Sequence, residues 1–148
     1  MPAQTIVLDT NIVLDVFVFK DAAAQPVRAG LEDASLDWIA TLPMRVELAR
    51  VLAYPQIVPR LAFYQLEAAD VLSAFDRHAR LVDVAPKASV TCKDADDQGF
   101  IDLAVAHGAT LLSKDRAVTS MAKRLQLLGA IVRSAWTARS CIHRVGSD

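Results

Sequence analysis

The sequence predicts an α/β domain in which helices cover both faces of a parallel sheet. Five short apolar runs alternate with longer segments of helical character along the 148 residues. In these runs apolar residues occupy most consecutive positions, so both faces of an extended strand would be apolar. This pattern is typical of parallel strands buried between helices. The five predicted strands are residues 5–8, 36–40, 81–85, 109–113 and 130–133.

The segments between the strands carry recognisable helix signals. Thr41 suits an N-cap and Pro43 suits the first turn of the helix that follows the second strand. Gly108 suits the left-handed position after a helix, and Asp115 suits the cap of the next one. An apolar stripe at helical spacing predicts one continuous helix over 59–79. The predicted helices cover residues 11–19, 22–34, 41–52, 59–79, 94–107 and 115–128.

Length and composition indicate one globular domain, predicted as residues 1–133 with a polar C-terminal tail over 134–148. Hydrophobic residues make up 53% and charged residues 22%, which excludes a disordered chain and a coiled coil. Lys and Arg total 16 against 17 Asp and Glu, so the net charge is -1. A nucleic acid would therefore have to bind through a local basic patch or through bound metal ions.

The sequence predicts a cytoplasmic protein without a membrane segment. Cys92 and Cys141 are too few for a disulfide framework and are expected to be reduced thiols. The longest apolar stretch, 12–19, contains Asp15 and is too short to span a bilayer. The first residues have no basic region, and Asp9 falls early, so a signal peptide is not expected.

Four acids are predicted to meet at one edge of the sheet. Asp9 ends the first strand, Glu47 lies early in the helix after the second, and Asp97 begins the helix after the third. Asp115 follows the fourth strand by two residues. The carboxyl ends of parallel strands share one edge, which is where α/β proteins place their sites. At 100° per residue Asp97 leans to the apolar side of its helix, whereas Asp102 falls on the solvated side.

Each acid also has a purely structural interpretation. Asp115 could be an ordinary N-cap, and Asp97 could share a capping box with Asp94. Glu47 could pair with Arg50 on the helix surface. Asp9 could form an Asx-turn with the residues after it, although an acid between two apolar runs is expensive to bury.

Four converging carboxylates repel one another unless protonation or a cation relieves the repulsion. An all-oxygen ligand set favours Mg²⁺ or Mn²⁺ over zinc. One or two such ions can generate hydroxide and stabilise charge on a phosphate. The predicted chemistry is therefore metal-assisted hydrolysis of phosphodiester bonds.

Four segments together resemble the motifs of the PIN-domain nucleases, particularly the VapC-like toxins of bacterial type II toxin–antitoxin systems. Residues 7–11 (VLDTN) resemble the first motif, an Asp that closes strand one. Residues 44–48 (MRVEL) resemble the second, a Glu carried by a helix. Residues 92–107 (CKDADDQGFIDLAVAH) resemble the third, and residues 111–115 (LLSKD) resemble the fourth. Each motif alone is weak, but four in this order are fairly specific.

The resemblance extends over residues 5–133. It implies a three-layer α/β/α sandwich around a central, mainly parallel five-stranded sheet. It also implies an endoribonuclease dependent on Mg²⁺ or Mn²⁺, a homodimer, and inhibition by a small antitoxin protein. The residues that match the metal-binding and catalytic acids of the family are Asp9, Glu47, Asp97 and Asp115.

Further residues near this edge are predicted to support the acids or the substrate. Asp96 is the alternative ligand to Asp97, because three nearby acids leave the register of the third motif open by one residue. The predicted supporting residues are Thr10, Asn11, Asp94, Asp96 and Ser113. The predicted RNA-phosphate contacts are Arg45, Lys114 and Arg116, for which solvated surface charge is the alternative interpretation.

Two other functions stay open on the sequence. The first is a Mg²⁺-dependent phosphatase with Asp9 as nucleophile and Ser113 assisting. That chemistry normally places a second acid two residues after the nucleophile, where this chain has Asn11, and it leaves Glu47 without a role. The second is a pseudo-nuclease that only binds RNA or protein, which the intact set of acids disfavours.

Overall fold

The computed structural model describes residues 3–136, and within them the chain forms a five-stranded sheet in which every strand pairing is parallel. The strand order is β3-β2-β1-β4-β5. The strands are β1 (Gln4–Leu8), β2 (Leu36–Ala40), β3 (Ala79–Leu81), β4 (Thr110–Leu112) and β5 (Ile131–Arg133). This confirms the predicted fold class. Most of the predicted tail, with Cys141, lies outside the described residues.

Helices cover both faces of the sheet. They are α1 (Thr10–Phe17), α2 (Gln25–Glu32), α3 (Leu42–Leu52), α4 (Val58–Phe63), α5 (Ala68–His78), α6 (Gln98–His107), α7 (Arg116–Thr119) and α8 (Ala122–Leu127). Short 3₁₀ turns at Ala22–Ala24 and Ala95–Asp97 precede α2 and α6. Among these described helices, none combines the length and apolarity needed to cross a membrane.

Alternation along β1 divides the buried core into two clusters. Ile6 and Leu8 belong to the cluster covered by α1 to α5. Val7, with Ile39 and Leu111 of the neighbouring strands, belongs to the cluster covered by α6 to α8. Because successive side chains of a strand point to opposite faces, this division produces the three layers of the domain.

The prediction of one continuous helix over 59–79 is wrong, because the structure has two helices there. The chain breaks between α4 and α5, where Gln65 takes a left-handed backbone conformation with φ 59°. A capping box between Glu67 and Asp70 then starts α5. The apolar stripe survives because buried residues from both helices face the same core, so the periodicity did not reveal the break.

Other boundaries also differ from the prediction. The third strand is β3, which runs from Ala79 to Leu81, and the chain leaves the sheet after Val82 donates a hydrogen bond to the Ala40 carbonyl. The segment 115–128 contains α7 and α8 instead of one helix, and 94–107 opens with a 3₁₀ turn before α6. Gly108 does occupy the predicted left-handed position after α6, with φ 58°.

Candidate active site

Asp9 lies at the centre of the carboxyl edge of the sheet. It directly follows β1, and the pairing of Leu8 with Leu112 brings it beside Ser113. The residue is 3% exposed, and its carboxylate accepts one hydrogen bond from the Ile12 amide at 3.0 Å and another from the Ser113 hydroxyl. Burial raises the pKa of Asp9 above its ordinary value, although these two hydrogen bonds oppose the rise.

Ser113 connects Asp9 to Asp115. The Ser113 side chain is buried, and its oxygen accepts a hydrogen bond from the Asp115 amide at 3.1 Å while its hydroxyl donates to Asp9. The Asp115 carboxylate caps α7 by accepting a hydrogen bond from the Ala117 amide at 2.9 Å. Asp115 is therefore an N-cap, and its carboxylate also belongs to the group of acids described next.

Asp97 is the least compensated acid of this edge. It ends the 3₁₀ turn before α6 and is 9% exposed. Its Oδ2 atom is buried and has no hydrogen-bond partner among the described residues. Burial, followed by hydrogen bonding with the Asp115 side chain and by the negative charges of Asp115, Asp94 and Asp9, raises the pKa of Asp97 to about 7. A buried anion without a partner is costly, which makes this position suited to a cation.

Three carboxylates at this edge are close enough to share one metal ion. One oxygen from each of Asp94, Asp97 and Asp115 lies within 4.8 Å of the others. The set consists entirely of carboxylate oxygens, which are the ligands of Mg²⁺ and Mn²⁺. The unpartnered Asp97 oxygen and this donor chemistry both fit a divalent cation.

The four predicted acids line one cavity with a volume of about 290 Å³. Its lining includes Asp9, directly after β1, and residues from α1, α3 and the turn before α6. We call it the acidic cavity, and its polar lining residues are Asp9, Thr10, Asn11, Glu47, Tyr54, Gln56, Asp94, Asp96, Asp97 and Asp115. The four acids predicted from the sequence therefore line one space.

Glu47 contributes to the wall of this cavity but stands outside the tight group of three acids. It is half-buried on α3, and its carboxylate pairs with Arg50 at 3.1 Å. Glu47 thus forms the surface pair with Arg50 that the sequence suggested, and it also lines the cavity. Asp96 is exposed and also lines the cavity, while Asp94 accepts a hydrogen bond from the Asp96 amide at 2.9 Å.

Two of the three predicted RNA-contacting cations are held by acids. Arg45 donates two hydrogen bonds to the Asp76 carboxylate, at 2.7 and 2.8 Å. Lys114 pairs with Asp15 at 2.5 Å. Arg116 is exposed at the start of α7.

Two acids near the site have surroundings that the sequence did not predict. Asp15, which interrupts an apolar stretch, is buried and binds Lys114. Asp102, assigned to the solvated side, is half-buried and accepts hydrogen bonds from the Ala88 amide at 2.9 Å and the Gln98 side chain at 2.7 Å. An acid within an apolar helix was a signal for Asp15. Nothing local indicated that a loop would cover Asp102.

Comparison with known proteins identifies the family. The family model of the PIN domain matches residues 5–117. No curated protein matches the sequence. A solved structure with the same fold is the complex VapBC2 from Rickettsia felis bound to a DNA fragment from their promoter. The matched chain is 13% identical, with a TM-score of 0.58, and the alignment covers 88% of this chain and 98% of that one.

That likeness concerns the fold alone, since the identity is low. The family model, in contrast, matches well over half of the chain. The protein therefore belongs to the PIN domain family, a family of nucleases that generally use divalent metal ions.

Proposed function

We propose that this protein is an endoribonuclease that depends on Mg²⁺ or Mn²⁺ and hydrolyses phosphodiester bonds of RNA. The observation that carries the proposal is the group formed by Asp94, Asp97 and Asp115, in which one carboxylate oxygen of each lies within 4.8 Å of the others. Within it, the Asp97 side chain also has a buried Oδ2 atom without a hydrogen-bond partner. Asp9 lines the same cavity. Keeping the buried Asp97 carboxylate beside other carboxylates costs free energy, and binding a cation removes that cost.

The proposed ligands of one or two ions are Asp9, Glu47, Asp97 and Asp115. Asp94 joins them as a candidate, because its oxygen lies in the tight group. When bound, a divalent ion supplies hydroxide at neutral pH and stabilises negative charge on the phosphate.

The other side chains would keep the acids in place. The Ser113 hydroxyl orients the Asp9 carboxylate and the Ser113 oxygen holds the backbone before Asp115, so one side chain keeps two acids in register. Thr10 and Asn11, on the first turn of α1, border the same cavity and are proposed to contact bound water or substrate. Asp96 is proposed as an outer acid, since it is exposed at the rim.

The proposed phosphate contacts are Arg116, Lys114 and Arg45. Arg116 is exposed beside Asp115, so its guanidinium can reach a phosphate directed to the acids. Lys114 and Arg45 would act while paired with Asp15 and Asp76. The net charge of -1 means that attraction of RNA depends on such local cations and on bound metal.

We further propose a cytoplasmic toxin that acts as a homodimer and is inhibited by a small antitoxin protein. The PIN domain and the likeness of its fold to a chain in a VapBC2 complex support this role. In this proposal residues 1–133 form the nuclease domain and residues 134–148 form a tail.

Cleavage of RNA by the purified protein tests the catalytic proposal. We expect cleavage of single-stranded RNA in Mn²⁺ or Mg²⁺, none in EDTA, and a loss of about 100-fold or more in Asp9→Asn, since even groups that only orient metal ligands are worth about 10–100-fold. Asp37→Asn is the matched control, because Asp37 pairs with Arg80 and neither residue lines the acidic cavity. The absence of RNA cleavage in either metal would refute the proposal. Hydrolysis of a phosphomonoester instead would favour the phosphatase.

Expression in bacterial cells tests the toxin role separately. We expect growth arrest by the wild-type chain, normal growth with Asp9→Asn at equal expression, and relief by a small protein encoded next to this one. Normal growth of cells that contain catalytically active protein would contradict the toxin role without affecting the nuclease proposal.

A further inference from the structure

A second concave region adjoins the acidic cavity. It has a volume of about 310 Å³, and we call it the side pocket. Glu47, Asp96 and Phe100 line both spaces. The volume lies in the range of small-molecule sites, roughly 300–1,000 Å³. A chemical group in the side pocket would therefore lie next to whatever the acids bind.

One wall of the side pocket is apolar. Phe100 and Met44 line it from the core, and Val84 and Ala85 line it from the segment that follows β3. Val84 is 66% exposed, although a valine gains free energy when it is covered. This wall suits a flat ring that is apolar on its faces.

Gly99 leaves this pocket open. It lies in the first turn of α6 and lines the side pocket, and a Cβ atom added there would meet nothing within 4 Å. Packing therefore does not require glycine, and glycine is a poor residue within a helix. The missing side chain instead preserves space beside the apolar wall.

Thr41 offers the pocket a polar group. It is 4% exposed, lines the side pocket, and occupies the N-cap of α3 without its side chain accepting a capping hydrogen bond. The hydroxyl of an N-cap threonine normally bonds the first turn of its helix. Here Pro43 occupies that turn, and the hydroxyl is available to a ligand as both donor and acceptor.

The charges at the rim define the kind of ligand. Glu47, Asp96 and Asp102 contribute carboxylates, and Arg50, which pairs with Glu47 at 3.1 Å, contributes a cation. The excess of carboxylates repels phosphate and accepts hydrogen bonds from N–H groups. Asp102 already accepts hydrogen bonds from the Ala88 amide and Gln98. The occupant should therefore be a neutral, flat ring with N–H donors at its edge.

We propose that the side pocket binds one unpaired base of the RNA substrate, next to the phosphate held at the acids. This inference rests on the proposed nuclease function. The base lies against the apolar wall and the backbone at Gly99, its exocyclic amino group donates to Asp96 or Glu47, and its remaining edge bonds Thr41. Adenine, guanine and cytosine carry such an amino group, so they are preferred over uracil.

Binding of free nucleosides to the metal-free, ¹⁵N-labelled protein tests the pocket without requiring catalysis. Adenosine, guanosine, cytidine and uridine are each added to about 10 mM, above the Kd of about 1 mM expected for so small a ligand. We expect saturable shifts of the amide signals of Gly99, Thr41 and Ala85, smallest with uridine. No saturable shift at these amides with any nucleoside would overturn the proposal.

Two pairs of variants locate the binding. Gly99→Leu fills the open space and should weaken nucleoside binding about tenfold, whereas Gly99→Ala should leave it almost unchanged. Thr41→Val removes the hydroxyl and should weaken binding about threefold to tenfold, and Thr41→Ser should restore it. Unchanged binding in both Gly99→Leu and Thr41→Val would place the nucleoside elsewhere and overturn the proposal.

Cleavage by the same variants separates this inference from the nuclease proposal. If the wild-type protein cleaves RNA preferentially at the bases whose nucleosides bind, Gly99→Leu should lose that cleavage preference. If the side pocket has no role, Gly99→Leu should keep it. Nucleoside binding at Gly99 without RNA cleavage in Mn²⁺ would refute the nuclease while supporting a base-binding site. Cleavage that Gly99→Leu leaves unchanged in rate and base preference would refute the inference alone.

Discussion

The acids at the edge of the sheet and the acids on the outer surface occupy opposite electrostatic surroundings. Asp76 accepts two hydrogen bonds from Arg45, which hold the pKa of the Asp76 carboxyl below its usual value. Asp97 has a buried oxygen without a partner, and its pKa is raised to about 7 by burial and by nearby carboxylates. The protein thus provides a cationic partner for the aspartate on the outer surface and leaves one oxygen of the aspartate at the sheet edge without a partner.

This difference shows which acids need something from outside the chain. An exposed ion pair already has its partner and adds little to stability. A buried carboxylate beside other carboxylates, such as Asp97 beside Asp94 and Asp115, is relieved by a proton or by a bound cation. The uncompensated region is therefore where the protein is expected to bind metal, and the following predictions test the contrast between the two regions.

The largest effect is expected from removing the charge of Asp97. Calorimetry with Mn²⁺ should show binding to the wild-type chain that weakens by about 100-fold or more in Asp97→Asn, which corresponds to about 2.7 kcal/mol or more. Mn²⁺ at 100 times the wild-type Kd should raise the free energy of unfolding of the wild-type protein by about 2.7 kcal/mol and that of the variant by about 0.4 kcal/mol or less. Equal Mn²⁺ affinity in both proteins would show that Asp97 is not a ligand.

A smaller effect is expected when pH changes in the absence of metal. The pKa of Asp97 is about 7 in the folded protein, higher than the ordinary aspartate value of 3.8, so the folded state binds this proton more tightly. The stabilisation is complete below about pH 4 and is lost as pH rises through about 7. Each pKa unit corresponds to about 1.36 kcal/mol, and the neighbouring acids share the charge, so we expect a loss of roughly 2 kcal/mol.

Urea unfolding in EDTA at several pH values measures this loss. Asp97→Asn should unfold with a free energy that changes less between pH 4 and 7 than that of the wild-type protein. Saturating Mn²⁺ should remove most of the decline in the wild-type protein. A decline of the same size in the variant would assign the pH dependence to other groups.

The smallest effect is expected on the outer surface. Asp76→Asn and Arg45→Gln break a pair whose side chains are exposed by 53% and 32% respectively, and solvent and salt screen such pairs. Thermal unfolding midpoints and Mn²⁺ affinity should stay close to those of the wild-type protein. A marked loss of RNA affinity in Arg45→Gln, but not in Asp76→Asn, would support the proposed phosphate contact of Arg45.

Local patterns predicted most of the fold and the position of the acids. The strand over 36–40 and the turn at Gly108 agree with the structure because they depend on neighbouring residues. The continuous helix over 59–79 failed at Gln65, where an unfavourable left-handed backbone conformation is maintained by the packing of α4 and α5 on a shared core.

Within the candidate site, the sequence indicated which acids follow strands, but it did not indicate which hydrogen-bond or ion-pair partners each acid has. Asp9, Glu47, Asp97 and Asp115 line one cavity, as the parallel topology predicted. Asp94 was expected only as a supporting residue, yet it lies in the tight group, while Glu47 pairs with Arg50. The choice between such partners depends on distances of a few ångströms, which spacing along the chain does not give.

The amino-acid sequence alone therefore specifies a buried parallel sheet and sets acids at the ends of its strands, because apolar periodicity, caps and turn residues act over a few residues. The tertiary structure decides which of those acids are compensated. Ser113 reaches Asp9 across 104 positions of sequence, Arg45 reaches Asp76 across 31, and Asp97 is left without a partner for one oxygen. Electrostatic energy depends on separation in space and on burial, and both are established only when the strands and helices have packed.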